Sequence, residues 1–243
     1  MKKKYNPPRI IRNQAGAGNK IAFSKNAVHF QSKVEGIEVT ELLENYGSPL
    51  FVFSESKMRE SYRELDSIIK QFYPNSELSW SYKTNYLGAI CSIFHQEGAK
   101  AEIVSIMEYD MAKHLGIAGE DIIFNGPGKR KEDLLRTIED GVLIHIDHFN
   151  ELITIEEVAD ELGITPKVAI RVNMDTGIYP QWQRFGFNYD NGEAYRTVQR
   201  LLSTGKVELV GLHAHIGTFM LDANPYYISA SKLLHLAQLI KDN

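Results

Sequence analysis

The 243-residue sequence predicts an α/β fold of repeated strand–helix units wound as a (β/α)8-type barrel, and three observations carry that expectation. From about Leu78 onward, short apolar runs alternate with helical patterns. Several of these runs are nearly continuous, as strands are when helices cover a parallel sheet. Polar residues fall at the C-terminal ends of many different strands, where a barrel gathers its chemistry. An open doubly wound sheet would instead collect its ligand at a single switch point.

The elements follow in order. Two short alternating pieces, "KIAFSK" and "AVHFQSK", precede a helical run around "VTELLENYG", which Gly47 ends well. "PLFVFSES" (49–56) reads as a strand leading into the serine-capped helix "ESKMRESYRELDSIIKQFY". Candidate strands are then "LSWSYK" (78–83), "KAEIVS" (100–105), "DIIFNG" (121–126), "LIHIDH" (143–148), "KVAIRVN" (167–173) and "VELVGLHAHIG" (207–217). The helical patterns between them are "EYDMAKHLG", "KEDLLRTIEDG", "FNELITIEEVADELG" and "EAYRTVQRLLSTG". The domain organisation expected is an N-terminal segment, 1–48, belonging to a second, β-rich domain, and a barrel over 49–243.

Composition narrows the function classes. With 27 Lys and Arg against 31 Asp and Glu the net charge is −4, which argues against a nucleic-acid footprint. The basic start "MKKKYNPPRI" has no apolar run behind it, so it reads as a solvated tail rather than a secretory signal. No apolar stretch approaches the ~18 residues of a membrane span. The single cysteine, Cys91 in "GAICSIF", excludes an intramolecular disulfide and reads as a core residue. A cytoplasmic protein is expected.

Four features carry chemistry. Lys83 stands where a strand gives way to Thr84 and Asn85; it either reaches out to solvent or is a desolvated lysine suited to Schiff-base formation. His213 and His215 in "HAH" are two apart, so in a strand both face one side and suit chelation, but no cysteine partner exists and no metal is assigned. The following "IGTF" offers Gly217 and Thr218 where a strand turns, a combination that suits a phosphate oxygen. "GPGK" (126–129) lacks the GxxxxGK[ST] form of a Walker loop and reads as a turn.

Together these segments resemble the fold-type III, alanine racemase-like decarboxylases that use pyridoxal 5′-phosphate, and diaminopimelate decarboxylases in particular. "ENYGSPLFVFSE", "SYKTN", "AEIVSIMEYD", "FNGPGK", "RVNMDTG…RFGF" and "GLHAHIGT" stand in family order between about Leu42 and Thr218. The resemblance implies that Lys83 holds the cofactor as a Schiff base and that His215 lies against its ring. Thr218, with Gly217, would bind the phosphate, and Glu102 would lie close to both lysine and histidine. Arg171 and Arg184 match basic positions bordering the substrate side. It implies decarboxylation of an amino acid, diaminopimelate-like or another basic or diamino acid, and a homodimer.

The later family motifs are missing from the 243 residues: the glycine-rich phosphate loop, an "EPG" run, a "CES" run and a late tyrosine. A barrel of this type takes about 250 residues, and here its strand series starts only near Ser76. The expectation is a barrel truncated after about six strands, either part of a longer polypeptide or a non-catalytic homologue that binds the cofactor or a partner chain. A pyridoxal-phosphate homeostasis barrel and a metal hydrolase built on the histidine pair are the remaining alternatives.

Overall fold

The structure is a computed structural model that describes residues 32–178, 184–218 and 220–242. The strand expected over 20–25 and most of that over 27–33 lie outside the described residues.

A two-stranded antiparallel sheet opens the described chain, β1 (Lys33–Val34) and β2 (Ile37–Glu38), joined through Glu35 and Gly36, both at positive φ. Helix α1 (Val39–Tyr46) follows and ends at Gly47, whose N–H returns to Leu43 O. Helix α2 (Glu55–Phe72) starts where the Ser54 hydroxyl accepts the Lys57 N–H at 3.1 Å, the serine cap expected from sequence. The strand expected over 49–56 is not formed. Leu50 to Phe53 are unpaired and exposed, because among the described residues no neighbouring strand receives their N–H and C=O groups.

The main sheet is parallel. Its ladder is β3 (Ser79–Ser81), β4 (Lys100–Ile103), β5 (Ile122–Phe124), β6 (Leu143–Ile146), β7 (Lys167–Asn173) and β9 (Glu208–His213), with the short β8 (Phe187–Asn188) pairing only the end of β7. These are the six strands expected from the apolar runs; β7 fills its run and the other five are shorter than theirs. Every ladder neighbour is the next of these strands in sequence, and no reversal of order makes a switch point. That winding is barrel-like, and the described residues leave it open: β3 and β9 are its edges. The connections are α3 (Gly88–Gln96), α4 (Ile106–His114), α5 (Lys131–Glu139), α6 (Phe149–Leu162) and α7 (Glu193–Thr204). A final helix, α8 (Asn224–Asp242), lies beyond the elements expected from periodicity.

The register sorts side chains between two faces. Ile103, Phe124, Ile144, Ile146, Val168, Ile170 and Val172 are buried in one continuous core with Leu134, Leu152, Ile155 and Leu201 of the helices. The alternate positions carry polar groups: Ser81 stands opposite Glu102, His145 opposite Ala169, and Arg171 opposite His213. One face of the sheet is therefore core, and the other is built for a polar ligand.

Candidate active site

Residues of both edge strands, Ser81 and Lys83 beside β3 and His213 to Thr218 beside β9, line one cleft of about 1110 Å3. A flat ladder of six strands would set those edges about 24 Å apart at ~4.8 Å per strand. Sharing one cleft requires the sheet to curl, as a partial barrel does. Glu102, Val104, Asn125, Pro127, Arg171 and Phe185 complete the wall.

The turn that carries Lys83 is fixed at several points. Thr84 donates both its N–H (3.1 Å) and its hydroxyl (2.7 Å) to Ser81 O. Asn85 O accepts the Trp80 indole N–H at 3.0 Å, and Asn85 Oδ1 accepts Leu87 N–H at 3.1 Å. Behind the turn, fully buried Tyr82 bonds His95 Nε2 at 2.7 Å. Lys83 itself is exposed at the cleft, the solvent-reaching one of its two readings: β3 is an edge strand, and among the described residues no further strand covers its outer side. Cys91 is buried in the core as expected.

His215 lies half-buried across the cleft. Burial, then the cations Lys83 and Arg171, push its imidazole below the ordinary range, so it is neutral at pH 7. Strand β9 ends at His213, short of the expected 217, so His215 belongs to the loop rather than sharing a strand face with His213. Gly217 sits at φ +145°, a conformation other residues rarely adopt, and carries the chain to Thr218 at the cleft wall. Arg184 is exposed and is not among the residues that line the cleft; its neighbour Phe185 does so, with its ring centroid 4.9 Å from the Arg171 guanidinium. Of the seven residues singled out from sequence, the structure brings together Lys83, Glu102, Arg171, His215, Gly217 and Thr218.

Three buried polar atoms in the cleft wall have no partner among the described residues: Ser81 Oγ, Glu102 Oε1 and His213 Nδ1. Unpaired buried polar atoms are costly, and here they accompany an accessible amine, an imidazole and a threonine hydroxyl beside a glycine turn. That donor set fits a polar aromatic aldehyde carrying a phosphate. Among the described residues, no group of three or more His, Cys, Asp and Glu is placed to hold a metal ion.

In "FNGPGK" Asn125 and Pro127 reach the cleft wall, while Gly126 and Lys129 hold the turn. A Cβ at Gly126 would fall 1.9 Å from Val104 O, so only glycine fits. Lys129 is buried, and its Nζ donates to Gly126 O (2.6 Å), His145 O (2.8 Å) and Glu151 Oε1 (2.7 Å). His145 and Glu151 were not distinguished in the sequence, although His145 occupies the inward period-2 position of β6, a signal that alternation contains.

His145 and His213 pack with ring centroids 4.8 Å apart. Burial, reinforced by nearby Lys129 and Arg171, holds His145 down at about 4 and His213 at about 2. Both are neutral in the fold, whereas the unfolded chain takes up protons near pH 6.5. Their contribution is therefore fully present above about pH 6.5 and is lost as pH falls toward the folded values. Between pH 7 and 5.5 the two are expected to remove about 2–3 kcal/mol of stability, at ~1.4 kcal/mol per unit for each group. Urea midpoints at the two pH values measure this, and an unchanged midpoint contradicts it.

A family model described as "Pyridoxal-dependent decarboxylase, pyridoxal binding domain" matches residues 55–242. The chain belongs to this family. Among its pyridoxal-dependent decarboxylase relatives, the diaminopimelate decarboxylase of Methanocaldococcus jannaschii is 30% identical over 224 residues, covering 86% of this chain and 51% of the relative. That of Aquifex aeolicus is 30% identical over 210 residues, covering 84% and 49%. The solved M. jannaschii enzyme in complex with L-lysine superposes with a TM-score of 0.80 at 29% identity, covering 86% of this chain and 51% of that one. The chain spans about half the length of the curated relatives it matches. No described helix is long and apolar enough to cross a membrane.

Proposed function

We propose that the chain is the cofactor-binding part of a pyridoxal-phosphate-dependent amino-acid decarboxylase, with Lys83 as the residue that bonds the cofactor. The observation that carries this reading is the convergence of Lys83, His215, Gly217 and Thr218 on one cleft at the C-terminal side of a parallel sheet. When bound, the cofactor supplies the electron sink that lets a Cα–carboxylate bond break. Lys83 would hold the cofactor through its amine and give place to the substrate amine. Neutral His215 would lie against the ring, Thr218 and the Gly217 turn would receive the phosphate, and Glu102 would supply a carboxylate beside them. Arg171 stands on the substrate side. Arg184 is retained there only by its resemblance to a family position.

The substrate proposed is diaminopimelate or another basic or diamino acid, supported by the names of the relatives and by the neighbour solved with L-lysine. We also propose that residues 1–48 join a second β domain, and that the protein works in the cytoplasm as a dimer or with a further C-terminal portion. A second reading, a non-catalytic homologue that binds the cofactor or a partner, is supported by the half-length match to the relatives.

Absorbance on adding pyridoxal phosphate tests the cofactor assignment. His215→Ala and Thr218→Val are each expected to weaken binding by ~1.5–3 kcal/mol, or roughly 10- to 150-fold. His213→Ala is expected to matter less. Equal dependence on both histidines, with loss of function on chelation, would support a metal instead.

A further inference from the structure

A cluster of charges runs from Arg171, in the cleft wall, to side chains that do not line the cleft. Arg171 extends from β7 and is 7% exposed; its Nη1 donates to Asp147 Oδ1 at 3.3 Å. Asp147, 5% exposed, follows β6 and precedes His148, the N-cap of α6. One turn on, Glu151 grips Lys129, whose other donors hold the carbonyls of Gly126 and His145. His148 Nδ1 stands 3.8 Å from Asp147 Oδ2 and 3.6 Å from Glu151 Oε2. The order is cation, anion, anion, cation, with a half-exposed histidine beside the two carboxylates.

We propose that Asp147 is a positioning residue for Arg171, and that the Glu151–Lys129 pair holds the Asp147 segment in register behind it. A free arginine side chain samples many rotamers, and ordering it on demand is costly. Here Asp147 fixes one end of the guanidinium while the Phe185 ring lies near it, so the donors left over are ordered before a ligand arrives. A guanidinium has five N–H donors in a rigid fork, which suits an anionic group such as a carboxylate. The inference rests on the reading above only in placing Arg171 on the substrate side.

Arginine labelling with phenylglyoxal in the 243-residue chain, mapped by peptide mass, tests it without cofactor. Arg171 is expected to label slowly in the wild type and about tenfold faster or more in Asp147→Asn, as loss of a charge-assisted bond implies. Arg200, paired with Glu156 at 2.6 Å between α7 and α6, is the control and should not change. Should circular dichroism show Asp147→Asn unfolded, Asp147→Ser replaces it. An unchanged Arg171 rate overturns the proposal, as does a parallel rise at Arg200, which would mean general loosening. Pyridoxal phosphate titration of the same samples separates the two readings. Failure of the wild type to bind it counts against the cofactor assignment, while the labelling still decides the role of Asp147.

Discussion

Assayed alone, the 243-residue chain is expected to release almost no CO2 from diaminopimelate, ornithine, lysine or arginine, and to self-associate. Among the described residues the parallel ladder leaves β3 and β9 as open edges, and open edges are templates for pairing with another chain. Phe51 is 88% exposed, Phe72 84% and Leu221 81%, which adds apolar surface that a well-behaved monomer would bury. The resemblance adds a chemical reason: the family's carboxylate at the pyridine nitrogen, its glycine-rich phosphate loop and its cysteine proton donor have no counterpart in these residues. Steady-state CO2 release with light scattering on the same sample measures both halves of the prediction. A monodisperse monomer turning over at ordinary enzyme rates, about 1–10³ per second, would contradict it.

Lys129→Met is expected to cost about 3–5 kcal/mol, the usual loss when one partner of a buried ion pair is removed. The side chain of Lys129 is 0% exposed and that of Glu151 1%, so water replaces neither partner. The substitution also strips a donor from Gly126 O and His145 O, in the segment that approaches Val104 most closely. Burial already pushes Glu151 up to about 7. Lys129 is what draws it down that far, so without the lysine the carboxyl goes higher still and keeps its proton in the fold. Holding that proton costs more as pH rises, and the loss should be larger at pH 8 than at pH 6. Lys129→Met with Glu151→Leu should recover much of the stability, because an apolar pair has no charge to desolvate. Urea unfolding at the two pH values checks the order; a loss below 1 kcal/mol at pH 8 would show the pair to be incidental.

The periodic signals in the sequence carried the fold. All six ladder strands lie within runs read from sequence, and Ser54 and Gly47 bound their helices as serine caps and glycine C-caps should. Leu50–Phe53 failed for a reason sequence does not contain. An apolar run becomes a strand only with a neighbour to pair with, and none is present among the described residues. The cleft was legible in its strand-end residues, since Lys83, Glu102, Arg171, His215 and Thr218 all reach it. Lys129 and Glu151 were not, because they are 22 residues apart and meet only once α5 and α6 are in place. Exposure was likewise illegible at Lys83: whether an end-of-strand lysine is desolvated depends on what lies beyond the strand, which local pattern does not encode.

The account stands on Lys83 as the residue that bonds the cofactor. Incubation with pyridoxal phosphate, borohydride reduction and peptide mapping test it most directly. The expected result is one pyridoxyl label on the peptide containing Lys83, absent in Lys83→Arg because a guanidinium keeps the charge but lacks the nucleophilic amine. A label on another lysine, or bound cofactor with no label at all, would contradict the account.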